Sequence, residues 1–315
     1  MTIQKLCVVV TVAWWLVGAQ RLFAAMPKDQ CAQCVCKGEK EAFELFKAGA
    51  GEFDSKYLPP SDINSVSYVT SDGTTLSGYM AKARDQKNTL LKAQGYILLL
   101  PGNAVYAQRL VSIIRELSRL GYDVYIYDYR GYRPSDAPPD VKTIIADTSE
   151  LVTELNRSVL DGALRYKSHV VYGISAGGAI ALNALDASSK IDRFILDGLP
   201  ATMSMKVDVP FLFRWLIHPV DLKCPEALDP LNRKLFAPKQ TLLINGAQDE
   251  VLRHTQDKRL QGLLLERAKV AGVCVSSQPA FHHPLMDNFT SKRIEIIERF
   301  LRTDLSKGCP TLPVY

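Results

Sequence analysis

The chain lacks an apolar run long enough for an ordinary membrane span, a dominant charge, a tandem repeat and a cysteine–histidine cluster. Each absence removes a class of function. The leading apolar run, Leu6 to Ala19, falls short of the roughly 20 residues that cross a bilayer as a helix. The net charge is only +5 and is dispersed, which argues against nucleic acid as a partner. Without a repeat, solenoid and propeller architectures drop out. Cys31, Cys34 and Cys36 lie close together, yet no His stands near them, and three thiols on one strand do not fill a tetrahedral metal site. What remains is a chain of 315 residues, 47% of them hydrophobic, with the make-up of a globular protein of one large or two small domains.

The N-terminus carries the first positive signal. Lys5 precedes the apolar run, and Gln20, Arg21 and the small-residue site Phe23-Ala24-Ala25 follow it. That order reads as a secretory signal peptide over residues 1–25. The expectation is export, to a periplasm or the medium, with no stable membrane insertion after cleavage; an uncleaved anchor is the alternative. Lys28-Asp29-Gln30 ahead of Cys31 argues against a lipoprotein. Removing Cys7 with the leader leaves an even set, Cys31, Cys34, Cys36, Cys224, Cys274 and Cys309. An exported chain with paired cysteines is expected to form disulfides, one of them tying the N-terminal arm to Cys309.

Periodicity divides the rest. Residues 26–64 read as an arm with one short helix over 39–48. Strands are expected at 65–70 and 75–81, turning at Ser71-Asp72-Gly73, and at 95–100, 123–128, 169–173, 193–197, 240–245 and 273–277. Helices are expected at 106–119, 140–157, 176–185, 254–270 and 288–302. The alternation predicts an α/β, doubly wound, mostly parallel sheet over residues 65–302, with a C-terminal tail from 303 to 315. Prolines 200, 210, 219, 225, 230 and 238 interrupt the rhythm, so residues 199–238 read as a cap insertion; an apolar patch at 211–217 lies within it.

The chemistry centres on Ser175. Val171-Tyr172-Gly173-Ile174-Ser175-Ala176-Gly177 runs from strand into helix in the Gly-x-Ser-x-Gly pattern. A serine at a strained turn needs small neighbours so that strand and helix can approach. The N–H of Ala176 would then face a developing oxyanion. Serine hydroxyls need a histidine base and an acid to orient it. Asp249 follows the strand at 240–245, and His282 and His283 follow the strand at 273–277, which is the expected order of serine, acid and histidine. Asp197 also follows a strand and competes with Asp249. His169, His218 and His254 read as structural, with His218 in the cap.

These residues resemble the α/β-hydrolase superfamily, in particular its serine-aminopeptidase-like and depalmitoylase-like catalytic domains. The resemblance rests on Pro101-Gly102-Asn103-Ala104, Tyr127-Asp128-Tyr129-Arg130-Gly131-Tyr132, the turn at Ser175 and Ile244-Asn245-Gly246-Ala247-Gln248-Asp249. It implies the α/β-hydrolase fold and cleavage of an ester, thioester or amide in a small acyl-containing substrate, with no metal or organic cofactor. Ser175 would be the nucleophile, Asp249 the acid, and His283, before Pro284, the base in preference to His282. Backbone N–H groups of Asn103 and Ala176 would hold the oxyanion. Pro101 departs from the His that the family usually carries there, which keeps a non-catalytic binding protein on the same fold as the alternative.

Overall fold

Largely apolar runs produce the centre of one sheet. In the computed structural model, which describes residues 35–50, 52–133, 139–160, 166–185, 189–207, 220–232, 240–284, 290–304 and 308–315, every residue of β3 (Gly95–Leu100) and β4 (Tyr122–Tyr127) is buried. β-Branched and aromatic residues with no polar alternation suit strands covered on both faces. These two strands pair in parallel, and β3 pairs on its other side with β5 (Ser168–Ile174). β6 (Arg193–Asp197), β9 (Gln240–Gly246) and β10 (Val273–Gln278) extend the parallel array.

At the far edge, β1 (Ile63–Val69) and β2 (Thr75–Ala81) form a hairpin that joins β4 antiparallel. From Ser65 on, β1 alternates exposed and half-buried residues, as a strand at a wet edge should. The sheet order is β1-β2-β4-β3-β5-β6-β9-β10. Helices cover both faces. On one side, α2 (Val111–Ser118) and α7 (Ser291–Arg302) press Ile113, Ile114, Leu117, Ile296, Ile297 and Phe300 into the sheet. On the other, α3 (Val141–Leu160), α4 (Ala176–Ala184) and α6 (Lys258–Arg267) contribute Leu151, Val152, Ala179 and Leu264.

Two local expectations need correction. The stretch 106–119 opens as a 3₁₀ turn, Ala107–Leu110, because the buried Asp128 carboxylate accepts the Ala107 N–H at 2.6 Å. The stretch 254–270 is two helices, α5 (Glu250–Thr255) and α6. Gln256 between them is extended, and Asp257 starts α6 by accepting the Arg259 N–H at 2.7 Å. Within the cap, β7 (Met205–Val207) pairs with β8 (Val220–Leu222), strands too short for periodicity to reveal.

The disulfides also differ. Cys36 of the arm pairs with Cys224, and Cys309 pairs with Cys274 on β10. The arm reaches Cys224 because Lys37 and Lys223 exchange backbone hydrogen bonds of 2.8 and 3.0 Å. Cys309 is instead drawn to β10 by the tail, whose Pro313 carbonyl accepts from Gln278 at 2.7 Å. α1 (Glu39–Ala50) fills the place of the arm's expected helix. Residues Val35–Tyr315 form one compact unit, α1 and the tail included. The leader, Cys31, Cys34, the 211–217 patch and His218 lie outside the described residues. Among the described residues, no helix is long and apolar enough to cross a membrane.

Candidate active site

The carboxyl ends of β3, β5, β6, β9 and β10 share one edge, where a parallel sheet gathers its chemistry. Ser175 stands between the last residue of β5 and the first of α4, with φ 52° and ψ −122°. A non-glycine residue held at positive φ stores strain and persists only if its surroundings enforce it. Two glycines do so by permitting contact. A Cβ on Gly173 would lie 2.4 Å from Gly178 Cα, and one on Gly177 would lie 2.2 Å from the Leu100 carbonyl oxygen. The Ser175 N–H donates to the Asp197 carbonyl at 2.8 Å, which fixes the turn to β6.

Asn103, Ser175 and Ala176 line one cavity of about 90 Å³. Ala176 is the first residue of α4, so its N–H belongs to the helix end that has no intrahelical acceptor. The Pro101–Asn103 loop is braced from below: buried Tyr129 donates its hydroxyl to the Pro101 carbonyl at 2.8 Å. Arg130 turns away from the cavity. It grips Asp147 on α3 through two bonds of 2.9 and 2.7 Å and reaches Asp72 in the β1–β2 turn.

The structure brings Asp249 and His283 together. Both side chains are 3% exposed, and the His283 Nδ1 lies 2.9 and 3.0 Å from the two Asp249 oxygens. Asp249 also caps α5, accepting the Leu252 N–H at 2.8 Å, so its carboxylate is held from two directions. His282 points elsewhere, to Glu250 at 3.1 Å, with both side chains about half exposed. Asp197 has other partners: it accepts from Arg293 Nε and from the Tyr172 hydroxyl, each at 2.9 Å. Burial pushes the Asp197 carboxyl above the ordinary carboxylate range, an effect that the Arg293 guanidinium opposes. His169 sits at the opposite end of β5 against Asp192, and His254 lies in the last turn of α5.

Sequence reasoning did not find the cavity's other walls. Phe43 and Phe46 of α1, Met203, Met205, Leu222 and Ile180 make it strongly apolar. The one available signal was the i, i+3 spacing of Phe43 and Phe46 on a short helix, which does not say what they face. Arg293 was missed as well. It spans from Asp197 to the His282 carbonyl, which it contacts at 2.7 Å, and its guanidinium lies over the Phe281 ring.

Comparison with known proteins places this geometry in context. The family model for serine aminopeptidase S33 matches residues 92–237. An uncharacterized membrane protein of Saccharomyces cerevisiae, YNL320W, is 27% identical over 206 residues, 63% of this chain and 66% of its own length. The chain therefore spans just under two thirds of that relative. Among solved structures, the Pyrococcus furiosus esterase Pf2001 superposes with a TM-score of 0.59 at 18% identity, over 80% of this chain and 97% of that one. A soluble variant of monoglyceride lipase from Saccharomyces cerevisiae, solved with a substrate analog, gives a TM-score of 0.54 at 14% identity, over 79% and 97%.

Proposed function

Because the chain carries the α/β-hydrolase fold and matches the serine aminopeptidase S33 model over residues 92–237, we propose that it is a member of the α/β-hydrolase superfamily, a serine hydrolase cleaving a carboxylic ester or thioester, or an amide, through an acyl-enzyme. The observation that carries the proposal is Ser175, strained at a strand–helix corner and set in the wall of an apolar cavity. Strain of this kind persists where it is functional, and a cavity of apolar lining selects an acyl group.

In this reading the Ser175 hydroxyl attacks the substrate carbonyl as His283 takes its proton. Asp249, hydrogen-bonded to Nδ1, holds the tautomer that leaves Nε2 free to accept, and stabilises the imidazolium. N–H groups of Asn103 and Ala176 receive the oxyanion; each well-placed donor lowers the barrier by about 3 kcal/mol. The proton on His283 passes to the leaving oxygen, sulfur or nitrogen, and the acyl-enzyme remains. Water, deprotonated by the same His283, then attacks the acyl carbonyl. The acid leaves, and Ser175 regains its proton. The Asp249–His283 contact and the separate pairing of Asp197 favour Asp249 over Asp197 as the acid, and His283 over His282 as the base. The two disulfides fit the exported location that the leader implies.

The test is labelling with a fluorophosphonate, wild type beside Ser175→Ala, with the adduct mapped by mass spectrometry. An adduct on Ser175, absent in the variant, is expected. A folded wild type that takes no label points to a binding protein on a hydrolase fold.

A further inference from the structure

Phe43 and Phe46 are buried, yet neither belongs to the two apolar layers that clamp the sheet. They pack on each other edge to face, at 5.8 Å between ring centroids, and Phe43 meets Tyr132 at 6.5 Å. Both rings face the cavity that Ser175 lines. Helix α1 thus spends its largest apolar side chains on the cavity wall.

The attachments that fasten α1 lie outside the eight-stranded sheet. They gather at its first residues. Cys36 is bonded to Cys224, next to β8. Lys37 pairs with Lys223 through both backbone bonds. Gly38 sits at φ +77°, where a Cβ would come within 2.5 Å of the Asp221 carbonyl oxygen, so no larger residue fits that approach. The Glu39 carboxylate accepts the Val141 N–H at the start of α3, the helix that gives Val141 and Ile144 to the same cavity. β8 itself supplies Leu222 to the wall.

We propose that α1, fastened by the Cys36–Cys224 bridge, is the wall that sets the acyl-chain length this enzyme accepts, with Phe43 and Phe46 as the specificity-determining residues. This rests on the serine-hydrolase reading of the site. A rigid wall discriminates because each methylene that fits is desolvated and each one too many clashes, a difference of about 10-fold or more in kcat/KM. A wall free to swing gives way to longer chains and contacts shorter ones less well.

The experiment measures kcat/KM for p-nitrophenyl esters from acetate to laurate on the full protein. Wild type, the double variant Cys36→Ser/Cys224→Ser, Phe43→Ala and Phe46→Ala are compared, with fluorophosphonate labelling of the same samples. The wild type should show a defined optimum and fall at least 10-fold within a few methylenes beyond it. Phe43→Ala and Phe46→Ala should each move the optimum to longer chains. The bridge-less variant should label as wild type does, but its profile should flatten by at least 5-fold between optimum and laurate. An unchanged optimum in both phenylalanine variants overturns the proposal. If the bridge-less variant does not fold, those two variants, which keep the bridge, decide. A folded wild type without label removes the hydrolase reading and this inference with it; a labelled wild type with unmoved optima removes this inference alone.

Discussion

Replacing Arg293 with Met measures how far the His283 loop depends on one buried charge. Arg293 and Asp197 are each 1% exposed at the side chain and 2.9 Å apart. Removing the cation leaves the carboxylate in the interior with the Tyr172 hydroxyl as its remaining partner, because Asp197 Oδ1 has no hydrogen bond among the described residues. Breaking one side of a buried pair costs about 3–5 kcal/mol. The His282 carbonyl also loses a donor, worth roughly 1–3 kcal/mol when left unsatisfied. The two losses share one site and do not add fully, so about 4 kcal/mol is expected in urea unfolding with an unchanged slope. Protonation of Asp197 limits the damage. Its pKa already lies above the usual value through burial, and loss of Arg293 raises it further, so the defect should be smaller at pH 5 than at pH 8. The double variant Arg293→Met/Asp197→Leu removes both charges and should recover at least 2 kcal/mol. A single variant within 1 kcal/mol of wild type, or a double variant that is merely additive, refutes the reasoning.

Other outcomes follow from the same geometry. Asp249→Asn should lower turnover by roughly 10⁴-fold without unfolding the protein, and His283→Gln by at least 10²-fold, whereas His282→Gln should stay within about threefold; ester-hydrolysis rates on purified variants check all three. Gly177→Ala should destabilise by about 2–3 kcal/mol in thermal or urea unfolding, because its Cβ would sit 2.2 Å from the Leu100 carbonyl oxygen. Burial raises the Asp229 pKa, though Thr202 and Met203 donate to the carboxylate. A raised native pKa favours the folded state at low pH and loses that contribution as pH rises from about 4 through the native value. Asp229→Asn keeps an acceptor for the Met203 N–H, so its stability curve should be flatter than that of wild type across this window.

The sequence announced what local physics dictates. β3 is apolar along its length and β4 apart from Asp123 because both faces are covered, and such runs stand out without a structure. The Ser175 turn was legible because its glycines are required at fixed offsets. Asp249 and His283 were found as residues just past strand ends, but the choice against Asp197 and His282 depends on where side chains point. The break at Gln256 had one local signal, the capping residue Asp257 inside the expected helix, but its other support is distant: the Gln256 amide oxygen accepts from the Thr202 N–H, and its nitrogen donates to the Ser204 carbonyl. The Cys36 partner and the facing of Phe43 and Phe46 share that origin, contacts between residues far apart along the chain.

The two disulfides also give the chain a covalent topology. The Cys36–Cys224 loop encloses Ser175, and the Cys274–Cys309 loop encloses His283, while Asp249 lies in the open stretch between them. A protease cut inside either loop leaves a single molecule on a non-reducing gel. A cut between residues 225 and 273 divides the chain into two closed rings with tails, joined by no covalent bond between the two rings but by the sheet, by α7 packed on it and by the buried Arg293–Asp197 pair. A cut ahead of β9 leaves its pairing with β6 across the break, and a cut after β9 leaves its pairing with β10, so the halves would hold together until denaturant is added.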